Sequence, residues 1–479
     1  MRSFGWVVGL GLGLVACGGG TLDPELFGDS GSDGSLVDGT TGDGSTTDGA
    51  TDGSVTDVAI DTGPTCVGLE CQIAKCDSGT TTLSGVVYDP AGLRPIPNVA
   101  VYIPNGTPAA IADGLTCSAC MAPITGKPLS VVTTNAKGAF TLTNVPVGAN
   151  IPLVMQLGKW RRAVTIPTVT ACVDNPIADK NLTRLPKNKA EGNLPLIALA
   201  AGCDQLECFL VNQIGIDPAE ITSAGGAGRV HAYRGHNMVA TGQGYPAGST
   251  DAYALWGNLT TMKNYDLLLN ACECSPDVRD TMGPAYTNMK SYLEAGGRMI
   301  GEHYHYNWFA SQQQCANDPS CKGPVDFNGV AAWGATQQTA PPEKVDTTHP
   351  RGQALADWLI VTGGSTVPGD VALSDLRNDV GAVKAPTTRW LYGPTSGTST
   401  YTLSFNTPLG SNAQCGRAVF VDTHAGGTYS NPSAAWPASC NGNPQTNNKN
   451  SALALEYAFF DSFGCVQDDT KPTVIPPTQ

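Results

Sequence analysis

Residues 292–303 read Tyr-Leu-Glu-Ala-Gly-Gly-Arg-Met-Ile-Gly-Glu-His. The first part closes a run of helical spacing that starts at Pro284. Gly296-Gly297 is a stop signal, because glycine takes the left-handed backbone that ends helices. Arg298 to Glu302 then reads as a strand. Working outward, Arg229 to Tyr233 is a further strand, and Tyr265 to Ala271 is an apolar run of the kind buried on both faces of a sheet. Arg417 to Asp422 is a late strand, and Ser451 to Phe463 is a closing helix. Alternating strands and helices predict an α/β fold over residues 228–465, a flavodoxin-like parallel sheet.

Ligands of such sheets sit beyond the carboxyl ends of the strands. Two of these ends carry an acid beside a histidine: Glu302-His303, with His305 just after, and Asp422-Thr-His424. His303 and His424, with Glu302 and Asp422, are therefore the catalytic or ligand-binding candidates, and His305 and His349 stand next to them. His231 lies on the first strand and His236 just after it. An imidazole near its ordinary pKa exchanges hydrogen bonds with hydroxyls or moves a proton. The expected ligand is carbohydrate or another small polar molecule. The pocket is expected at His303 and His424 and not at Cys272. The His-x-His at 303 and 305 matches no closed zinc site, so neither metal nor cofactor is expected. No Gly-x-Ser-x-Gly is present, and Gly225 to Gly228 precedes its strand, the wrong side for phosphate.

The runs YLEAGGRMIGEH, THPRGQALADWL and CGRAVFVDTH resemble the ThuA-like branch of the class I glutamine-amidotransferase-like fold. That resemblance falls on His303, His349 and His424 and implies a link to sugar utilisation. An amidotransferase of this fold needs a cysteine at the turn after Glu302. This chain has His303 there, which excludes amidotransfer.

Upstream, short β-rich runs alternate with turn residues from Thr80 to Pro167, which predicts a small all-β sandwich. The stretches SGVVYDPAG, PIPNVAVYIPN and VTTNAKGAFTLTNVPVG resemble the carboxypeptidase-regulatory-like, transthyretin-like family. The resemblance implies a rigid, non-catalytic module of a carbohydrate-binding-like fold. Trp160, between Lys159 and Arg161, reads as packed at a sheet edge rather than as a sugar platform.

The chain opens with Arg2, an apolar run from Phe4 to Val15, and Leu14-Val15-Ala16-Cys17. The run suits a signal peptide and is too short to span a bilayer. It resembles a bacterial lipoprotein signal. That resemblance implies removal of residues 1–16, lipid on Cys17, and placement at the outer membrane, on its periplasmic or extracellular face. Residues 17–65 are Gly, Ser, Thr and Asp, with acids at 29, 33, 38, 43, 48, 52, 57 and 61. Such a segment cannot bury enough apolar surface to offset its ordering entropy, and it reads as a disordered acidic tether. Its spacing does not fit a calcium loop.

The expected order is thus signal peptide, tether, sandwich over 66–185, connecting segment over 186–227, α/β domain over 228–465 and disordered tail over 466–479. The net charge of −14 with no basic groove excludes nucleic acid as a partner. Of 16 cysteines, lipidation takes Cys17. The others, Cys66, Cys71, Cys76, Cys117, Cys120, Cys172, Cys203, Cys208, Cys272, Cys274, Cys315, Cys321, Cys415, Cys440 and Cys465, are disulfide candidates in an exported chain, with connectivity open and one left over. Cys272 and Cys274 are expected to be oxidised, though not to each other. Zinc on Cys117, Cys120 and the cluster Cys66, Cys71 and Cys76 is the weaker alternative. On these readings the protein is a surface lipoprotein that binds a polar ligand. The alternative is a sugar-processing enzyme with His303 or His424 as general acid/base.

Overall fold

The computed structural model describes residues 66–235, 246–273, 284–310, 327, 329–334, 340–394, 399–426, 434–441 and 449–479. The signal peptide, Cys17, the tether, His236, Cys274, Cys315 and Cys321 lie outside the described residues.

Seven strands come first: β1 (Thr82–Val86), β2 (Ala100–Pro104), β3 (Pro128–Thr133), β4 (Ala139–Thr143), β5 (Gly148–Leu157), β6 (Trp160–Val169) and β7 (Asp174–Pro176). They form two sheets, in the orders β4-β1-β7 and β3-β2-β5-β6. Alternate residues of both sheets, among them Leu83, Val101, Phe140, Leu142, Leu153 and Met155, share one buried cluster. That cluster does not stop at the edge of the β region. Trp160 is fully buried, donates to the Pro186 carbonyl at 3.0 Å and packs on Phe459, Phe460 and Phe463. Its role is structural. From Pro64 to Gln479 the chain is one compact unit.

The main sheet has ten strands in the order β15-β14-β17-β18-β19-β12-β11-β8-β10-β9. They are β8 (Ile197–Ala201), β9 (Ile221–Ser223), β10 (Val230–Arg234), β11 (Leu267–Asn270), β12 (Arg298–Glu302), β14 (Glu343–Val345), β15 (Asp370–Val371), β17 (Thr388–Tyr392), β18 (Thr400–Thr407) and β19 (Gly416–Val421). A small ladder joins β13 (Ala331–Trp333) to β16 (Val380–Val383). Strands β9, β10, β8, β11, β12 and β19 pair in parallel, as expected. From β19 outward, β18, β17, β14 and β15 pair antiparallel, so the sheet is mixed rather than parallel. For β17, β18 and β19 the physical reason is loop length. A parallel crossover takes a dozen or more residues, and the link from Tyr392 to Thr400 is too short for one.

Helix α1 (Ala285–Glu294) ends where its glycines require. Gly296 has φ of 104°, and the Gly297 N–H reaches the Tyr292 carbonyl at 3.0 Å. Tyr286, Met289, Tyr292 and Leu293 of α1 pack on one face of the sheet. Helix α2 (Pro350–Val361) covers the antiparallel edge, and α3 (Lys449–Asp461) covers the other face through Leu455 and Phe459. No helix among the described residues is long and apolar enough to cross a membrane.

Two boundaries differ from expectation. The segment 186–227 contributes β8 and β9, and β8 lies inside the parallel block. Residues 466–479 are not a loose tail, because Asp469 is buried between Arg351 and Arg417, and Ile124 bridges to Thr478. Five disulfides join Cys66–Cys71, Cys76–Cys172, Cys117–Cys415, Cys120–Cys465 and Cys208–Cys440, and Cys203 is also oxidised. These pairings rule out the zinc alternative on Cys66, Cys71, Cys76, Cys117 and Cys120. Two of them stitch the loop between β2 and β3 to the start of β19 and the end of α3.

Candidate functional site

Strands β11, β12 and β19 are neighbours in parallel register, so their carboxyl ends meet in space. Each supplies one group. His303 follows Glu302 with φ of 34°, a left-handed value that a histidine reaches only under strain. The turn aims its ring back over the sheet edge, as a nucleophile elbow aims a serine or cysteine. His303 Nδ1 lies 3.2 Å from His424 Nε2, and the ring planes are inclined at 55°. Cys272, two residues past β11, places its Sγ 3.3 Å from the same Nδ1. Cys272 is fully buried and His303 nearly so, while the His424 ring keeps 17 % of its surface exposed.

Cys272 thus remains a thiol inside the site, contrary to both expectations for it. The face-alternation rule applies within a strand, and Cys272 lies beyond the end of one, where it meets the ends of its neighbours. β8 comes close as well. The Cys203 N–H donates to the Cys272 carbonyl at 2.6 Å, and a Cβ on Gly202 would stand 2.1 Å from that oxygen. The chain leaves β8 for β9 and β10 on one side and returns to β11 on the other. The cluster therefore adjoins the switch point where such sheets take ligands.

The outer nitrogens of both rings meet carboxylates from the loop between β15 and β16. His303 Nε2 is 3.3 Å from Asp379 Oδ2, and His424 Nδ1 is 3.0 Å from Asp375 Oδ2. Arg377 Nη2 lies 2.9 Å from the same His424 nitrogen and pairs with Asp375 at 2.8 Å. The loop is zipped to the end of β19 by the Arg377 N–H on the Asp422 carbonyl and the His424 N–H on the Asp375 carbonyl.

Two carboxyl pairs lie beneath. Asp422 is fully buried and accepts the Asp379 N–H at 2.8 Å. Burial first, and Asp379 second, push its carboxyl well above the usual range. Glu302 accepts the Cys272 N–H at 3.3 Å, and burial, then Asp204, push it well up also. Asp204 in turn accepts the Ala425 and Gly426 N–H groups at 2.7 and 2.9 Å. Glu302 and Asp422 therefore act from behind the histidines rather than lining the cleft. Burial, then the charges of His424, Arg377 and His305, hold His303 at about 3, so its imidazole is neutral. The site offers two imidazoles, a thiol and proton-sharing carboxyls. It can exchange protons, accept hydrogen bonds, or donate electron pairs to a cation.

The remaining histidines go elsewhere. His305 is buried, with Nε2 on the Ala271 carbonyl at 2.9 Å and Nδ1 accepting from Trp308 at 3.1 Å. It locks the turn after β12 to the end of β11. His349 caps α2, accepting the Gly352 N–H at 3.0 Å and reaching the Arg389 carbonyl at 3.1 Å. It lines a separate open groove of about 760 Å³ with Asp346 and Asp469. His231 is held by Tyr265 and the Gly226 carbonyl. Sequence reasoning missed Cys272, Asp204, Asp375, Arg377 and Asp379. The alternation Asp-Leu-Arg-Asn-Asp over 375–379, which puts three charges on one side of an extended segment, was the available signal.

No protein-family profile matches the chain, and no curated protein sequence is similar to it. Among solved structures, a ThuA-like protein from Bacteroides uniformis is similar at 12 % identity and a TM-score of 0.28, over 55 % of this chain and 88 % of that one. A cytoplasmic protein from Salmonella typhimurium is similar at 13 % identity and a TM-score of 0.27, over 55 % and 98 % of the two chains.

Proposed function

We propose that this chain is an exported, lipid-anchored envelope protein whose α/β region takes a small polar ligand of the carbohydrate class at the strand ends around His303 and His424. One observation carries the reading: two imidazoles from neighbouring parallel strands meet at 3.2 Å beside the switch point of the sheet. Asp375 and Arg377 at the rim bring both charge signs within reach. That mixture suits a neutral, hydroxyl-rich molecule better than a strongly charged one. Export is supported by the Leu14-Val-Ala-Cys17 signal and by the oxidised cysteines. The β region, with its two small sheets, serves as a rigid spacer on this reading.

A second reading, a sugar-processing enzyme, is favoured by the neutral His303 standing against the Asp379–Asp422 pair, an arrangement able to pass a proton. Calorimetry of the full chain against a panel of mono- and oligosaccharides tests both. Binding by the wild type that His424→Ala weakens at least tenfold supports the site. Turnover of a bound sugar that Asp379→Asn abolishes while binding persists selects the enzyme. Sugar affinity unchanged in His424→Ala would sink the assignment of the site. Cys17→Ser should move the protein from membrane to soluble fractions, and continued membrane fractionation would remove the anchor from the reading.

A further inference from the structure

We infer that Cys272, His303 and His424 form a three-ligand site for a divalent transition-metal ion, zinc by preference, with a fourth position open to the ligand. The inference concerns the same strand ends as the proposed function and names a cofactor for them, but it needs no sugar to be tested.

The inner atoms carry the argument first. Cys272 Sγ, His303 Nδ1 and His424 Nε2 all lie within 4.8 Å of one another. Bond lengths of about 2.0 Å to nitrogen and about 2.3 Å to sulfur place tetrahedral zinc ligands roughly 3.3 Å apart for two nitrogens and roughly 3.6 Å apart for nitrogen and sulfur. The observed separations are 3.2 Å between the two nitrogens and 3.3 Å from Sγ to His303 Nδ1. These two separations match those of a common metal shell, and the third, from Cys272 Sγ to His424, lies within 4.8 Å.

The outer atoms are an independent observation. A metal-bound imidazole hands its other N–H to a carboxylate or carbonyl, which fixes the tautomer and raises its basicity. His424 Nδ1 has that partner in Asp375, and the Asp379 carboxylate stands 3.3 Å from His303 Nε2 as a charge contact without a hydrogen bond. The two carboxylates come from one loop, zipped to β19 by two backbone hydrogen bonds, so both rings face a single element. Without a cation, the Arg377 guanidinium donates to His424 Nδ1 at 2.9 Å and the Nε2 proton bridges the rings. A divalent ion would displace the thiol proton to solvent, and the bridging proton would move from His424 Nε2 to Nδ1, where Asp375 accepts it while Arg377 keeps its bond to Asp375.

The donor chemistry points the same way. One thiolate with two imidazoles selects zinc and its soft relatives over calcium or magnesium, which take oxygen. Every other described cysteine is oxidised, while Cys272 is a thiol buried where a cation would sit. Three protein ligands with an open position are the pattern of catalytic rather than structural zinc. A sugar hydroxyl or a water would occupy the open position.

The test strips the full chain with a chelator and titrates it with Co(II) or Zn(II) alone. One equivalent per chain is expected, with tetrahedral visible bands for cobalt and a sulfur-to-cobalt charge-transfer band. Cys272→Ser should lose that band. Asp375→Asn and Asp379→Asn should loosen zinc by about 10–100-fold without touching a ligand. His303→Ala risks misfolding at its strained turn, so His424→Ala, checked by circular dichroism, carries the second ligand. Uptake by the wild type no greater than by the Cys272→Ser, His424→Ala double variant overturns the site, as does a cobalt spectrum without the sulfur band. Metal without sugar binding would sink the ligand reading alone, whereas sugar without metal binding would sink this inference alone.

Discussion

Strands β12 and β19 run side by side and carry opposite chemistry at their two ends. Arg298 opens β12 and Arg417 is the second residue of β19, and the strands lead into Glu302 and Asp422. At the amino ends, Arg417 and Arg351 meet Asp461 and Asp469, while the buried Arg298 beside them donates to the Cys415 and Ala119 carbonyls, and burial, then Arg417, lower it to about 9. Asn406 Oδ1 and Ser404 Oγ also accept from the Arg417 Nη1 and Nη2 groups. Burial pushes the Asp469 carboxyl up, but Arg417 and Arg351 outweigh it and hold it at about 2. At the carboxyl ends, acids crowd acids and are driven to keep their protons, and His303 is driven to stay neutral. Buried charge is tolerable when matched and hydrogen-bonded. The matched end holds the sheet to α2 and α3. An unmatched buried cluster of this kind is the pattern that functional sites favour.

The largest expected contrast is mutational. Arg417→Ala leaves Asp461 and Asp469 short of a partner and should cost about 3–5 kcal/mol in urea unfolding. His424→Ala, at the rim of the other end, should cost roughly 1 kcal/mol or less. Equal costs would erase the distinction between the ends.

Acid sharpens the comparison next. The folded pKa of Asp469, about 2, lies below its ordinary value of 3.8. The stability it contributes is therefore fully present above about pH 4 and is lost as pH falls toward 2. The loss should reach roughly 2 kcal/mol, read as the urea midpoint against pH. Asp469→Asn should be less stable at neutral pH and flatter through that window. An unchanged slope would mean that the pairing with Arg351 and Arg417 is not what holds this carboxyl.

The smallest effect is expected from Asp422→Asn. A carboxyl already protonated is imitated by an amide, and the acceptor for the Asp379 N–H survives. The change should stay within about 1 kcal/mol. Asp461→Asn, which removes a charge that two arginines face, should cost more in the same assay. The reverse order would mean that Asp422 is ionised and that its end is matched too.

Much of this contrast was legible in the chain. The helix stop at Gly296 and the apolar runs of β11 and β19 are local signals, and the rule about strand ends then put His303 and His424 at neighbouring ends, where their rings meet. What escaped was set by tertiary neighbours. Strand character in Thr388 to Thr407 does not carry direction, so the antiparallel half of the sheet was invisible. Cys272 was read by compartment, which favours disulfides, although its position past a strand end decided its surroundings. Asp375, Arg377 and Asp379 sit on a loop whose five-residue charge alternation is too short to mark them without the fold. His305 and His349 carried the right chemistry on the wrong side of a turn or a helix cap, which only packing reveals. Glu302 and Asp422 were found, but their role as proton-sharing acids behind the histidines needed the buried partners Asp204 and Asp379.

The pairings Cys117–Cys415 and Cys120–Cys465 close spans of 298 and 345 residues. At about 5–20 residues per second, a ribosome takes on the order of 15 to 60 s to traverse the shorter span. For all of that time Cys117 and Cys120 have each other, three positions apart, as the nearest thiols. Synthesis therefore offers a local pair long before the native partners exist. A Cys117–Cys120 bridge formed ahead of the native pairings would have to be opened by thiolate attack before Cys415 and Cys465 could take their places.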